Sequence, residues 1–227
     1  MDAETVSQLP SPALDPKWDQ SSGEELANSI SHGFGLVAAV VGAPILLVAA
    51  WRSGDRFFFA GTTVFAAAML LVYLGSTLYH ACPRGALKSA LQVIDHSAIF
   101  LLIAGTYTPF TLGPLRGPWG WTILGFIWSL ALFGVILKSV GGAQRRRGFS
   151  LALYLAMGWL ILVATRPFVA HVPAAALLWL LAGGLAYTGG IYFFVNKRRR
   201  YTHFVWHLFV LLGTACHFFA VLTCATA

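Results

Sequence analysis

His203 and His207 stand four residues apart in an apolar run, residues 202–219. Four residues is about one helical turn, so both rings leave the same face. Two imidazoles at that spacing can hold one metal ion. The H-x-x-x-H spacing alone is weak, because it equally marks the wet end of a helix. A third histidine, His80, closes another apolar run, with Ser76 one turn earlier on the same face. Asp95 and His96 open a third. Ionisable groups inside apolar spans are costly and by default mark functional interiors.

Three neutral imidazoles and a water make a tetrahedral zinc site with one open position, the mark of a catalytic site. Zinc held this way lowers the pKa of its water toward ~7. Asp95 is placed to hold or deprotonate that water, and Ser76 to orient it or donate to a developing oxyanion. His96 follows Asp95 directly, so on a helix it points about 100° away and is left out of the ligand set. His217 lies ten residues after His207, about 15 Å along a helix and too far for the same ion. The competing reading of the cluster is a buried hydrogen-bond network tying helices together.

The elements that carry these residues follow from composition. The chain has 227 residues, 58% hydrophobic and 10% charged, with net charge +7. A soluble domain carries about 25% charge. The expected class is therefore all-α, a single bundle of seven transmembrane helices, and the basic balance calls for no nucleic acid. The expected spans are roughly 33–50, 57–80, 91–112, 119–137, 149–165, 174–195 and 202–223. Arg166-Pro167 is expected to break the fifth. Residues 1–23 read as a flexible cytoplasmic tail without a cleavable signal, and residues 24–227 as the membrane domain.

Ser22 and Glu25 fit a capping box at the start of order. Glu25, Asn28 and His32 follow on one helical stripe, either a polar helix at the interface or the wall of an internal cavity. Cys82, Cys216 and Cys224 form no paired framework and read as reduced, with Cys82 an outside candidate ligand beside His80. Gly183, Gly184, Gly189 and Gly190 read as close-packing positions. Trp51, Trp119 and Trp121 read as interfacial anchors.

Eleven Lys and Arg fall in the tail and the second–third, fourth–fifth and sixth–seventh loops, and four in the other loops. The positive-inside rule then places the N-terminus in the cytoplasm and the C-terminus outside. Arg145 to Arg147 and Lys197 to Arg200 read as topology signals that also touch anionic head groups. With alternating spans, His80, Asp95, His203 and His207 share one depth in the inner leaflet.

Several of these stretches together resemble the hemolysin III branch of the progestin and adiponectin receptor superfamily. They are Ser76-Thr-Leu-Tyr-His80, Asp95 with Ile99-Phe-Leu-Leu-Ile-Ala-Gly-Thr-Tyr-Thr-Pro-Phe110, His203-Phe-Val-Trp-His207, and Glu24-Glu25-Leu-Ala-Asn28 with His32. The resemblance runs from about Glu24 to the C-terminus. It implies seven membrane helices with a cytoplasmic N-terminus and zinc held by His80, His203 and His207. It also implies an aspartate, here Asp95, contacting the zinc-bound water, and a nearby serine, here Ser76. Adiponectin receptors are associated with ceramide hydrolysis, and the short tail here speaks against a hormone-receptor role.

The expected function is a zinc-dependent hydrolase of a lipid amide or ester in the cell membrane. The alternative is non-enzymatic, a cytolytic membrane-perturbing protein or a zinc-stabilised sensor. An ion pathway ranks last, because Asp95 is the only carboxylate within the expected spans.

Overall fold

The computed structural model describes residues 20–143, 146–196 and 199–227. Most of the expected tail lies outside the described residues, as do Lys17, Arg145, Lys197 and Arg198. All regular structure among the described residues is helical, and seven segments are long and apolar enough to cross a membrane. The chain is a multi-pass membrane protein.

The helices are α1 (Ser22–Arg52), α2 (Arg56–Ala81), α3 (Ala86–Leu112), α4 (Pro118–Gly141), α5 (Arg147–Gly158), α6 (Thr165–His171), α7 (Ala174–Val195) and α8 (Thr202–Thr226). A 3-10 stretch, Leu160–Ala164, joins α5 to α6, and the three together form the fifth span. Short connections make sequential helices antiparallel neighbours. Packing runs from α4 through α3, α2, α1 and α8 to α7, so α1 lies between α2 and α8. The fifth span touches its neighbours sparsely. Between it and α3, α7 and α8 lies an apolar cavity of about 390 Å³.

α1 shows how a membrane helix sorts its faces. Leu26, Ile30, Phe34, Val37, Val41, Ile45 and Val48 form an exposed stripe, while Asn28, His32, Gly35, Ala39 and Leu46 are buried. With lipid outside, burial is won by small and polar residues rather than by large apolar ones. The helix is 31 residues long, so the Glu25, Asn28 and His32 stripe belongs to the first span. Asn28 and His32 are buried against the bundle, as an interior wall requires.

The capping box forms one residue earlier than expected. Ser21 is the N-cap, its side chain accepting from the Glu24 amide while Glu24 Oε2 accepts from the Ser21 amide at 3.0 Å. Both S-x-x-E registers exist in the sequence, and the one that forms leaves Glu25 free for α2 and α3.

Two further expectations shift. Pro167 does not break the fifth span. The break comes earlier, and Pro167 sits in the first turn of α6, where a missing amide hydrogen costs little. The Tyr107 hydroxyl from α3 holds the break. It lies 2.9 Å from Met157 O and 3.0 Å from Gly158 O, and it accepts from the Ile161 amide at 3.1 Å. Lys88 and Lys138, read as loop charges, are both buried inside helices. Lys138 Nζ donates to Ala143 O just beyond its own helix at 2.7 Å.

Trp51, Trp119 and Trp121 are exposed near helix ends, as interfacial anchors should be. Gly183 lies under the His217 ring and Gly190 under Phe209 and Trp206 of α8. Gly184 and Gly189 make only ordinary contacts. Backbone meets backbone between helices elsewhere, at Gly61 and at Gly120. A Cβ on Gly61 of α2 would lie 2.7 Å from Pro109 Cα and 2.8 Å from Thr108 O of α3. Backbone cannot step aside as a side-chain tip can. Gly61→Ala is therefore expected to cost about 1–3 kcal/mol, read as a lower thermal transition of the detergent-solubilised chain. Gly125→Ala, whose Cβ would meet nothing within 4 Å, is expected to leave the transition unchanged or raise it.

Candidate metal centre

α2 ends and α3 and α8 begin at the end of the bundle where α1 starts. His80 lies in the last turn of α2, and His203 and His207 in the first two turns of α8. The rings converge. Centroids are 4.7 Å apart for His203–His207, 5.0 Å for His80–His207 and 5.3 Å for His80–His203. One nitrogen from each lies within 4.8 Å of the others. A tetrahedral ion with Zn–N of about 2.0–2.1 Å needs nitrogen separations of about 3.3 Å, a small side-chain adjustment away. The three histidines can thus hold a metal ion. Cys82 is not in the group.

The surroundings say which nitrogens face inward. His80 Nδ1 lies 2.7 Å from Glu25 Oε2. A carboxylate only accepts, so Nδ1 carries the hydrogen, and in the neutral imidazole Nε2 carries the lone pair. That Nε2 is buried with no hydrogen-bond partner among the described residues. His207 Nδ1 faces Ser31 Oγ at 3.1 Å and Asn28 O at 3.3 Å. The Ser31 hydroxyl already donates to Asn28 O at 2.8 Å, so its oxygen is left to accept. His207 Nδ1 is then the donor, and its Nε2 is also a lone pair. Ligating histidines typically donate their second ring nitrogen to a carboxylate or carbonyl in this way.

Other polar atoms nearby are equally without partners. Ser76 Oγ is one, fully buried one turn before His80. His32 is another, with both ring nitrogens unpartnered. Buried polar atoms are normally satisfied, so the cluster suits an ion and its water, and the donor set fits zinc. His32 is not a ligand of that ion. It stacks on His207 at 3.6 Å with planes 9° apart. An ion bound in the plane of one ring lies well out of the plane of the other.

Asp95 lies in the third turn of α3, its backbone against Gly75, next to Ser76. Its Oδ2 is 3.7 Å from His96 Nδ1, which donates to Gln92 O at 2.8 Å. His96 thus turns to its own helix and stays out of the group. His217 packs against Gly183 and lines the apolar cavity, away from the three histidines.

Sequence reasoning missed two contributors. Glu25, on a stripe that reads as either an interfacial helix or a cavity wall, is the hydrogen-bond partner of His80. Lys88 was read as loop charge and is buried against Glu25, Nζ to Oε1 at 3.1 Å. The only advance signal was a charged residue within a turn or two of each expected span. Glu24 Oε1 also accepts from the Tyr201 amide at 2.9 Å, tying α1 to the residue before α8.

Comparison with known proteins identifies the family. The family described as Haemolysin-III related matches residues 20–218. The Hemolysin-3 homolog of Bacillus subtilis (strain 168) is 43% identical over 199 residues, 88% of this chain and 93% of that protein. Hemolysin-3 of Bacillus cereus is 43% identical over 199 residues, covering 88% of this chain and 90% of its own. The human Monocyte to macrophage differentiation factor is 29% identical over 212 residues, 87% of this chain and 83% of that protein. A multi-pass helical bundle with a three-histidine cluster at one end, matched along nearly its whole described length, belongs to the Haemolysin-III related family.

Proposed function

We propose that the chain is a zinc-dependent hydrolase of a lipid amide or ester. The observation that carries this reading is the three-histidine group, with His80 and His207 buried and His203 partly so, together with an unpartnered His80 Nε2 and an unpartnered Ser76 hydroxyl one turn earlier on α2. His80, His203 and His207 hold the ion. Zinc bound there supplies a Lewis acid for the carbonyl and an acidified water as nucleophile. Asp95 takes the proton from the attacking water and returns it to the leaving amine or alcohol, so that one water divides between acid and leaving group. Ser76 donates to the oxygen on which negative charge develops. By the distribution of Lys and Arg, this end of the bundle faces the cytoplasm.

The apolar cavity supports a lipid substrate. Its lining includes Val72, two turns before His80 on α2, and Phe194, whose ring lies 6.0 Å from that of His203. An acyl chain lying there brings its polar end toward the histidines.

The purified chain is expected to carry zinc, and His203→Ala to lose it. Asp95→Asn is expected to keep zinc and to lower turnover by about 10²-fold or more. Metal analysis and a panel of lipid amides and esters check both. A preparation that retains zinc and cleaves nothing in the panel defeats the proposal.

A second reading comes from the Hemolysin-3 name of the Bacillus cereus relative. Under it the ion clamps α2 to α8 and the chain perturbs membranes without turnover. Dye-filled liposomes separate the two. The hydrolase reading expects no leakage beyond that of an unrelated membrane protein. Leakage that persists in His80→Ala favours perturbation independent of metal.

A further inference from the structure

Lys88 is an unusual lysine. Its side chain is 2% exposed in the first turn of α3. Its Nζ is 2.8 Å from Tyr79 O and 3.1 Å from Cys82 O, both at the end of α2, and 3.1 Å from Glu25 Oε1. An ammonium has three hydrogens to donate, and these three acceptors come from two other helices. The Tyr79 ring lies under the same ammonium at 4.6 Å, and Gln92 Nε2 fixes the Tyr79 hydroxyl at 2.9 Å. Glu25 divides its two oxygens in turn, Oε1 to Lys88 and Oε2 to His80 Nδ1 at 2.7 Å. The chain from Lys88 through Glu25 to His80 is continuous and nearly dry.

We propose that Lys88 and Glu25 are positioning residues of the metal centre: Lys88 orients and charge-compensates the Glu25 carboxylate, and Glu25 holds the His80 ring with Nε2 turned to the ion. The inference rests on the metal-centre reading above. The Glu25 side chain is 18% exposed, so it has a route to swing out toward water. A carboxylate left beside a divalent cation would also be drawn toward it as a direct ligand and would close the open position. The Lys88 ammonium blocks both moves, because it is a fixed countercharge on the oxygen that His80 does not use. By holding Tyr79 O and Cys82 O, it also pins the turn of α2 that carries His80. Lys88 therefore acts at a distance, on the presentation of a ligand and not on the substrate.

The test uses the full chain in detergent, with zinc alone as the probe against a competing chelator. Glu25→Gln and Lys88→Met are each expected to weaken zinc binding about 10–100-fold, the usual effect of removing a hydrogen-bond partner of a ligand. The double variant is expected to be no weaker than Glu25→Gln alone, because Lys88 acts through Glu25. Melting of the zinc-free chain supplies the control. If Lys88→Met lowers that transition but leaves zinc affinity at the wild-type value, Lys88 is only a helix cap and the proposal is overturned. Losses that add in the double variant overturn it too. Should Lys88→Met not fold, Glu25→Gln decides alone, since it keeps the shape of the side chain, and unchanged affinity overturns the proposal. A wild-type chain that takes up no zinc defeats the metal-centre reading itself, an outcome distinct from a zinc-loaded wild type with unaffected variants.

Discussion

Hydrocarbon offers a buried polar group no water, so each such group must find a partner inside the protein or carry a cost of several kcal/mol. That constraint organises this molecule. Most backbone groups are satisfied within helices, which is why among the described residues all regular structure is helical. The polar side chains cannot be spread evenly through seven spans, because each would need its own partner. Glu25, Asn28, Ser31, His32, Ser76, His80, Lys88, His203 and His207 are instead gathered near one end of α1, α2, α3 and α8, where they serve one another. Among the described residues, the buried polar side-chain atoms of that layer left without hydrogen-bond partners lie on Asn28, His32, Ser76 and His80.

The rest of the bundle divides its labour accordingly. Helices α1, α2, α3 and α8 pack closely, with Gly61 against Pro109 and Gly35 against Tyr73 and Leu211. Close packing fixes ring positions to fractions of an ångström, as a ligand set needs. The fifth span does the opposite. Its 3-10 break is held by one tyrosine hydroxyl and its contacts are sparse, so it leaves space rather than filling it. A closely packed half that carries the three clustered histidines thus stands beside a sparsely packed half that borders an apolar cavity.

Much of this was legible in the chain because two periodicities suffice for it. Spacing of three and four residues puts His203 with His207 and Ser76 with His80, and alternation of spans puts them at one depth with Asp95. Neither inference needs knowledge of which helix touches which. What was not legible depends on that knowledge. The break in the fifth span comes from Tyr107, about fifty residues earlier in sequence, whereas local rules point to the nearby Pro167. Lys88 near a span boundary looks like any loop charge to a hydropathy count. Its burial is compensated by Glu25 arriving from α1 and by the Tyr79 and Cys82 carbonyls at the end of α2.

The capping register of α1 shows how small the deciding term can be. Both Ser21 with Glu24 and Ser22 with Glu25 satisfy the same local rule, and a cap is worth about 1 kcal/mol in either place. Locally the two are equivalent. Adjacent residues on a helix point about 100° apart, so the registers assign the two carboxylates to different neighbours. With Ser21 as cap, Glu24 serves the Ser21 and Tyr201 amides, fixing the start of α8 just ahead of His203. Glu25 is then directed at His80 and Lys88. The other register would tie Glu25 to its own helix end and leave the His80 Nδ1 hydrogen and the Lys88 ammonium without their shared acceptor. The tertiary partners therefore choose the cap, and one turn of helix aligns the clustered histidines of both α2 and α8.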